Sequence, residues 1–291
     1  MELPSVDVVG VLTAPARPAG RSGQLAPTPI ADEARLLGLT PILAPERLRN
    51  PAAIVDVLAL GADLVVLADY GRIVPEELLG SPHGALNVHP SLLPRHRGAS
   101  PIPATILAGD RETGVSIIRM DAGIDTGPVV AVERLGLSGR ETAPELEDRL
   151  AKVGAELLAR TVPAWIRGEL IEQPQDHAAA TLTRPLRRTD GRLDPRRPAA
   201  ELERAVRAYL PWPGTYLETG LLGRLIVRSA MSGPSASSDV PGHLVAEGDG
   251  LALTTVAGRL LLGQVQLEGR RAMDASTLRR GAPRLVGATV A

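Results

Sequence analysis

The residues best suited to chemistry lie in the run from Gly84 to Gly98. Asn87 and His89 stand two apart at the end of the apolar stretch Ala85–Val88, so in a strand their side chains leave the same face. A second polar cluster, Asp121-Ala122-Gly123-Ile124-Asp125-Thr126-Gly127, follows the apolar run Thr113–Met120. In an open α/β sheet ligands bind beyond the carboxyl ends of the strands. If these two strand ends are neighbours, an amide, an imidazole and a carboxylate converge. That set suits acyl transfer to an amine. Asn87 can donate to a developing oxyanion, His89 can move a proton, and Asp125 can orient the imidazole or balance its charge. Taken singly, a strand-end histidine is more often structural and Asn87 more often a turn residue, and spacing alone leaves both readings open.

Other chemistries lack their residues. The chain has no Cys, which removes thiolate metal sites and disulfides and fits a reducing cytosol. No GxGxxG or P-loop follows an apolar run, no HExxH is present, and no G-x-S-x-G offers a hydrolase nucleophile. At 291 residues and 44% hydrophobic, the chain can bury an ordinary core and is long enough for two domains. No apolar run reaches the roughly 18–20 residues of a membrane span, and the amino terminus lacks a signal peptide's basic and apolar regions. The sequence therefore predicts a cytoplasmic protein with no metal and no membrane contact, and the expectation taken with it is a monomer. Its net charge of −1 hides a split: residues 1–183 carry a net −7 and residues 184–291 a net +6. A basic carboxyl-terminal part calls for an anionic partner.

The elements that must position Asn87, His89 and Asp125 follow from the apolar pattern. Val6–Leu12, Pro41–Leu43, Asp63–Ala68 and Ala85–Val88 read as short buried strands. Thr28–Leu37 (Thr28 as N-cap), Pro51–Leu60 and Pro75–Leu79 read as helices between them. This alternation predicts a Rossmann-like α/β domain with a mainly parallel sheet over residues 1–168. Thr113–Met120 and Pro128–Leu135 continue as strands. Ala143–Arg167 is an amphipathic helix with Leu146, Leu150, Val153, Leu157 and Leu158 on its apolar face. Residues 169–198, rich in Arg, Pro, Asp and Gln, read as a linker. Over 199–291, a helix Ala199–Leu210 precedes five short strands, which predicts a small OB-like β-barrel.

The run Asn87-Val88-His89-Pro90-Ser91-Leu92-Leu93-Pro94-Arg95-x-Arg97-Gly98, followed by Asp121-x-Gly123-Ile124-Asp125-Thr126-Gly127, resembles the signature of the 10-formyltetrahydrofolate-dependent formyltransferases. Thr13–Arg21, Ala108–Ser116, Tyr209–Pro213 and Glu268–Met273 extend the resemblance over nearly the whole chain, toward the members that formylate a charged tRNA. The resemblance implies that Asn87 and His89 stabilise a tetrahedral intermediate and that Asp125 holds the geometry and protonation of His89. It implies 10-formyltetrahydrofolate as donor, with Tyr70, Gly71, Ile73, Val74 and Pro75 lining its pocket and Ser91, Leu92, Leu93 and Pro94 beside it. The implied acceptor is initiator methionyl-tRNA, reached by Arg21 and by the basic residues Arg184, Arg187 and Arg188. Arg contacts to phosphate fit a chain with only 2% aromatics better than base stacking does. Amino-sugar formyltransferases share the core motif, and a folate- or tRNA-binding remnant without turnover is a further alternative.

The sequence departs from that family's pattern in three places. Relatives carry a strand, a Gly-Thr-Pro turn and a helix ahead of the equivalent of Val6–Leu12. The preferred expectation is a start assigned too far downstream, the alternative a truly shortened chain, and without that first strand a central position in the sheet is empty. Asp69 stands where a small apolar residue is usual, and His96 where an aromatic is usual.

Overall fold

Two early helices start as their sequences dictate. In Pro29–Leu36 the Thr28 hydroxyl accepts from the Ala31 amide at 3.2 Å, and Pro29 sits in the first turn, where its missing N–H leaves no bond unmade. Pro51–Leu58 repeats the device with Asn50, whose Oδ1 accepts from the Ala52 amide at 3.1 Å. The structure, a computed structural model, describes residues 6–19, 23–220 and 223–290. The chain forms two compact units interleaved in sequence. One comprises the stretch up to Arg97, Gly114–Arg134 and Ala151–Leu182; the other comprises Gly98–Thr113, Leu135–Leu150 and Thr183 onward. Residues 169–182, within the segment read as a linker, belong to the first unit. Among the described residues no helix is long and apolar enough to cross a membrane.

In the first unit the strands shorten to Val11–Leu12, Ile42–Leu43, Val65–Ala68 and Ala85–His89. Val11–Leu12 pairs in parallel with Ile42–Leu43, and Val65–Ala68 in parallel with Ala85–His89. Ala85–His89 then pairs antiparallel with Glu112–Arg119, and Val129–Gly136 completes a four-stranded sheet. The parallel pairs lie in separate sheets, and Val65–Ala68 is the outer strand of its sheet, with Val66 exposed. Pro75–Leu79 becomes a 3₁₀ turn over Glu76–Leu79. Leu86, Val115, Ile117 and Ile118 are fully buried and form the floor beneath the Asn87–His89 strand end.

The long helix, Ala143–Ile166, carries one close approach that shapes this floor. A Cβ at Gly154 would lie 3.1 Å from Val88 Cγ1 and 3.6 Å from Val115 Cγ1, so the helix backbone can press on the central strands only where the side chain is absent. Of the predicted apolar face, Leu146, Leu150 and Leu157 are buried, while Val153 and Leu158 are partly so.

In the second unit the helix Pro101–Ala108 escapes the sequence pattern: it is apolar nearly all round, so no amphipathic period marks it. Ala199–Ala208 buries Leu202, Ala205 and Val206. The predicted barrel is present as two four-stranded antiparallel sheets. One holds Thr215–Thr219, Gly223–Val227, Gln264–Leu267 and Met273–Asp274; the other holds Ala230–Gly233, Arg259–Leu262, Gly250–Thr254 and Leu244–Glu247. The predicted strand Arg259–Leu267 breaks at Gly263, whose missing side chain leaves room for the Ser229 hydroxyl and lets the chain pass from one sheet to the other. Bridges from Val290 to Thr219 and from Thr289 to His243 join the outer strands, and Leu217, Leu225, Leu244, Leu251, Leu253, Leu260 and Val265 fill the interior.

Candidate active site

Alternation along Ala85–His89 sends Asn87 and His89 to one face, and both meet Asp125 there. Asn87 Nδ2 donates to Asp125 Oδ1 at 3.1 Å, while His89 Nδ1 lies 3.5 Å from Asp125 Oδ2. One carboxylate therefore faces both partners, with His89 buried and Asp125 nearly so. The route by which Asp125 arrives differs from the expected one. The Asn87 strand and Glu112–Arg119 are antiparallel, with Leu86 opposite Arg119 and His89 opposite Ser116, so their carboxyl ends point apart. The loop 120–128 turns back and returns Asp125 to the amide and imidazole. Three features mark the course of this loop. Asp121 Oδ1 accepts from the Gly123 amide at 3.0 Å and from Thr126 Oγ1 at 2.7 Å. A side chain at Gly127 would run into the Arg119 carbonyl. Asp125 itself takes a left-handed backbone, φ +52°.

The other imidazole nitrogen is anchored. His89 Nε2–H donates to the His96 carbonyl at 3.0 Å, which leaves Nδ1 as the nitrogen that faces the Asn87–Asp125 pair. Burial pushes the His89 pKa below the ordinary histidine range, against the opposing pull of the Asp125 carboxylate and the His96 carbonyl. The resting imidazole is thus a neutral base whose conjugate acid has a carboxylate at hand. His96, at the position where an aromatic is usual in the family it resembles, is also left-handed at φ +59°. The loop after His89 is braced by Ser91 Oγ donating to the Arg95 carbonyl at 2.6 Å, and by Ser116 Oγ, which donates to the Ser91 carbonyl at 2.7 Å and accepts from the Leu93 amide at 3.1 Å. Ser91, Leu92, Leu93 and Pro94 thereby take a fixed course beside His89.

Tyr70, Gly71, Ile73, Val74 and Pro75 leave the carboxyl end of Val65–Ala68. Because that strand runs parallel to Ala85–His89, with Ala68 opposite Val88, they emerge at the same end as His89. Arg72 fastens this segment by donating to the Pro45 and Glu46 carbonyls at 2.9 and 2.8 Å. Asp69 is left-handed, φ +47°. Among the described residues, Tyr70 Oη is the buried side-chain polar atom left without a hydrogen-bond partner.

Of the predicted basic set, Arg21 lies outside the described residues. Arg184 donates to both Asp190 oxygens at 2.8 and 2.6 Å, while Arg187 and Arg188 are exposed. Sequence reasoning missed Gln175 and the use made of Arg97. Arg97 is buried and donates through Nε and Nη2 to Gln175 Oε1 at 3.1 and 2.8 Å. Gln175 Nε2 donates to the Asp125 and Gly127 carbonyls at 2.9 and 2.6 Å. A glutamine in an aperiodic Pro- and Asp-rich segment gives no local signal of this contact.

A family model described as "Formyl transferase" matches residues 2–162, and one described as "Formyl transferase, C-terminal domain" matches residues 185–283. The chain is 44% identical over 277 residues to a methionyl-tRNA formyltransferase of Roseiflexus sp. (strain RS-1), covering 94% of this chain and 84% of that protein. It is 41% identical to a methionyl-tRNA formyltransferase of Myxococcus xanthus (strain DK1622), covering 94% and 88%. Among solved structures, HypX from Aquifex aeolicus in complex with tetrahydrofolic acid has a similar fold, with a TM-score of 0.58 at 17% identity over 80% of this chain and 40% of that one.

Proposed function

The chain belongs to the formyl transferase family, and on that footing we propose that it moves a formyl group from 10-formyltetrahydrofolate to the α-amine of initiator methionyl-tRNA. The observation that carries the catalytic reading is the shared carboxylate, with Asn87 on one oxygen of Asp125 and His89 facing the other.

In this reading His89 Nδ1 accepts the proton that the α-amine sheds as it bonds to the formyl carbon, and Asp125 Oδ2 balances the imidazolium that results. Asn87 spends one amide N–H on Asp125 and keeps the other to donate to the oxyanion of the tetrahedral intermediate. When the carbon–nitrogen bond to tetrahydrofolate breaks, His89 returns the proton to the departing N10. Amine, formyl group and proton then balance between the two substrates and the imidazole. The Nε2–H···O contact with His96 holds the ring so that Nδ1 is the nitrogen free to take up the proton.

The residues Tyr70, Gly71, Ile73, Val74, Pro75 and Ser91–Pro94 are assigned to the donor pocket. The unpartnered Tyr70 hydroxyl fits a ligand with polar edges, which would supply the missing bond. Arg187 and Arg188, with Arg21 and Arg184, are assigned to the tRNA backbone, and the protein is taken as a monomer. The test is formylation of charged initiator tRNA with 10-formyltetrahydrofolate, beside an amino-sugar nucleotide as alternative acceptor. Formyl-methionyl-tRNA is the expected product, and His89→Ala should lower turnover by about 10²–10⁴-fold. Formylation of the sugar alone, or near-normal turnover in the variant, would refute the assignment.

A further inference from the structure

Gln175 uses its whole hydrogen-bonding capacity at one place. Its carbonyl oxygen accepts twice from Arg97, and its two amide protons go to the carbonyls of Asp125 and Gly127. The orientation of the amide is dictated by chemistry: a guanidinium on one side must meet oxygen, and two carbonyls on the other must meet N–H. His177 Nδ1 lies 3.3 Å from the third guanidinium nitrogen of Arg97. The same segment grips the neighbouring strand and loop. Gln173 and Val129 exchange backbone bonds at 2.8 Å each, Thr181 Oγ1 accepts from the His96 amide at 2.8 Å, and the Thr181 carbonyl accepts from the Arg97 amide at 2.9 Å. Residues 173–181 therefore hold both the loop that carries Asp125 and the loop whose His96 carbonyl anchors His89.

From this geometry we infer that Gln175, backed by Arg97, is a positioning residue that sets the left-handed backbone of Asp125 and so the placement of its carboxylate between Asn87 and His89. A left-handed aspartate is an unfavourable backbone state that persists only when its surroundings over-determine it. Gln175 supplies that constraint from the carbonyl side, where its two donated bonds fix the Asp125–Thr126 and Gly127–Pro128 peptide planes. Its own hydrogen bonds go to Arg97 and to the Asp125 and Gly127 carbonyls, so the route proposed for its effect is through Asp125.

The inference rests on the assignment of Asp125 to catalysis, and the test separates the two. Gln175→Met keeps the length of the side chain and removes its polar atoms. Its kcat should fall by about 10²-fold through misplacement of the carboxylate, with KM for donor and tRNA unchanged. The double variant Gln175→Met/Asp125→Asn should be no slower than Asp125→Asn alone, because the two changes act through one group. Losses that multiply in the double variant, or a wild-type kcat in Gln175→Met, would overturn the positioning role. If Gln175→Met does not fold, Gln175→Glu serves: it keeps the acceptor for Arg97 but, when ionised, sets a carboxylate oxygen against two carbonyls. It should show the same loss of kcat, and a wild-type kcat overturns the inference. Wild-type turnover in Asp125→Asn removes the catalytic assignment and the inference with it. An inactive Asp125→Asn beside a fully active Gln175→Met overturns the inference alone.

Discussion

Asp125→Asn removes the carboxylate facing His89 Nδ1, and the consequences can be worked from one distance. At 3.5 Å, a carboxylate and an imidazolium attract by about 5 kcal/mol with an effective dielectric of about 20. An attraction of that sign favours the protonated form of His89. Asp125 keeps some access to solvent, which screens and weakens that attraction. Burial already holds the His89 pKa below its ordinary value, and Asp125 is the largest influence opposing that depression. Loss of the charge therefore lowers the pKa further. An asparagine amide can also donate to the bare Nδ1, which favours the neutral ring and pushes the same way. Since the neutral imidazole is the base, the acid limb of the kcat/KM profile should move to lower pH. Its plateau should drop by about 10²–10³-fold, because the imidazolium formed during attack has lost its counter-charge. The assay is formylation of charged initiator tRNA from mildly acidic to mildly alkaline pH for both proteins, with a proton-NMR titration of His89 as the direct reading. An acid limb that stays in place or moves upward, or a plateau that does not fall, would show that the carboxylate does not stabilise protonated His89.

Gly127→Ala places a Cβ against the Arg119 carbonyl, so the loop must shift; unfolding by urea should show a loss of about 1–3 kcal/mol. Turnover should fall alongside it, and a variant with unchanged stability and turnover contradicts the tight return of this loop. Tyr70→Phe deletes a buried hydroxyl that has no partner, so Tm should hold or rise, while tetrahydrofolate affinity drops about fivefold if the ligand supplies that partner. Equal affinity by titration calorimetry rules the Tyr70 hydroxyl out of the donor site. Arg187→Ala/Arg188→Ala should weaken tRNA binding and reduce the slope of log K against log salt by about 2, whereas Arg184→Ala should change the slope less because Asp190 already takes its guanidinium. Equal slopes for the three proteins would remove these arginines from the tRNA interface.

Much of the site was legible because its residues sit where strand periodicity is strongest. Asn87 and His89 are two apart in a strand whose buried neighbours are Ala85 and Leu86, so the shared face needed no structure to see. The helix beginning at Pro29 was readable from Thr28 and its following proline, since capping is local chemistry. What failed was non-local. Whether Glu112–Arg119 runs with or against Ala85–His89 depends on pairing, which the apolar pattern of either strand does not encode; both orientations bury the same Ile117 and Ile118. The break of Arg259–Leu267 at Gly263 depends on Ser229, far earlier in the chain, although a glycine inside a strand was a local hint. Gln175 could not be found at all from sequence spacing, because its partners, Arg97, Asp125 and Gly127, all lie dozens of residues away.

The charge split also takes on a different meaning once the side chains are paired. Between 184 and 291 most acids are already committed: Asp190 to Arg184, Asp194 to Arg196, Glu201 to Arg197, Glu203 to Arg207, Glu218 to Arg192 and Arg224, and Asp239 and Glu247 to Arg259. Each of these pairs cancels at short range, so a net of +6 is not spread evenly over the unit. The uncancelled field comes from arginines outside these ion pairs, among them Arg187, Arg188, Arg270, Arg271 and Arg284. A polyanion responds most to the charges it can approach without first separating an ion pair, since an arginine bonded to a carboxylate brings that negative charge with it. Arg184 was grouped with Arg187 and Arg188 on sequence because all three are basic and close together. Its two bonds to Asp190 set it apart from them, because they fold the 184–191 segment into the turn from which Arg187 and Arg188 project. The same residue type thus fixes the shape in one place and supplies exposed charge in the next.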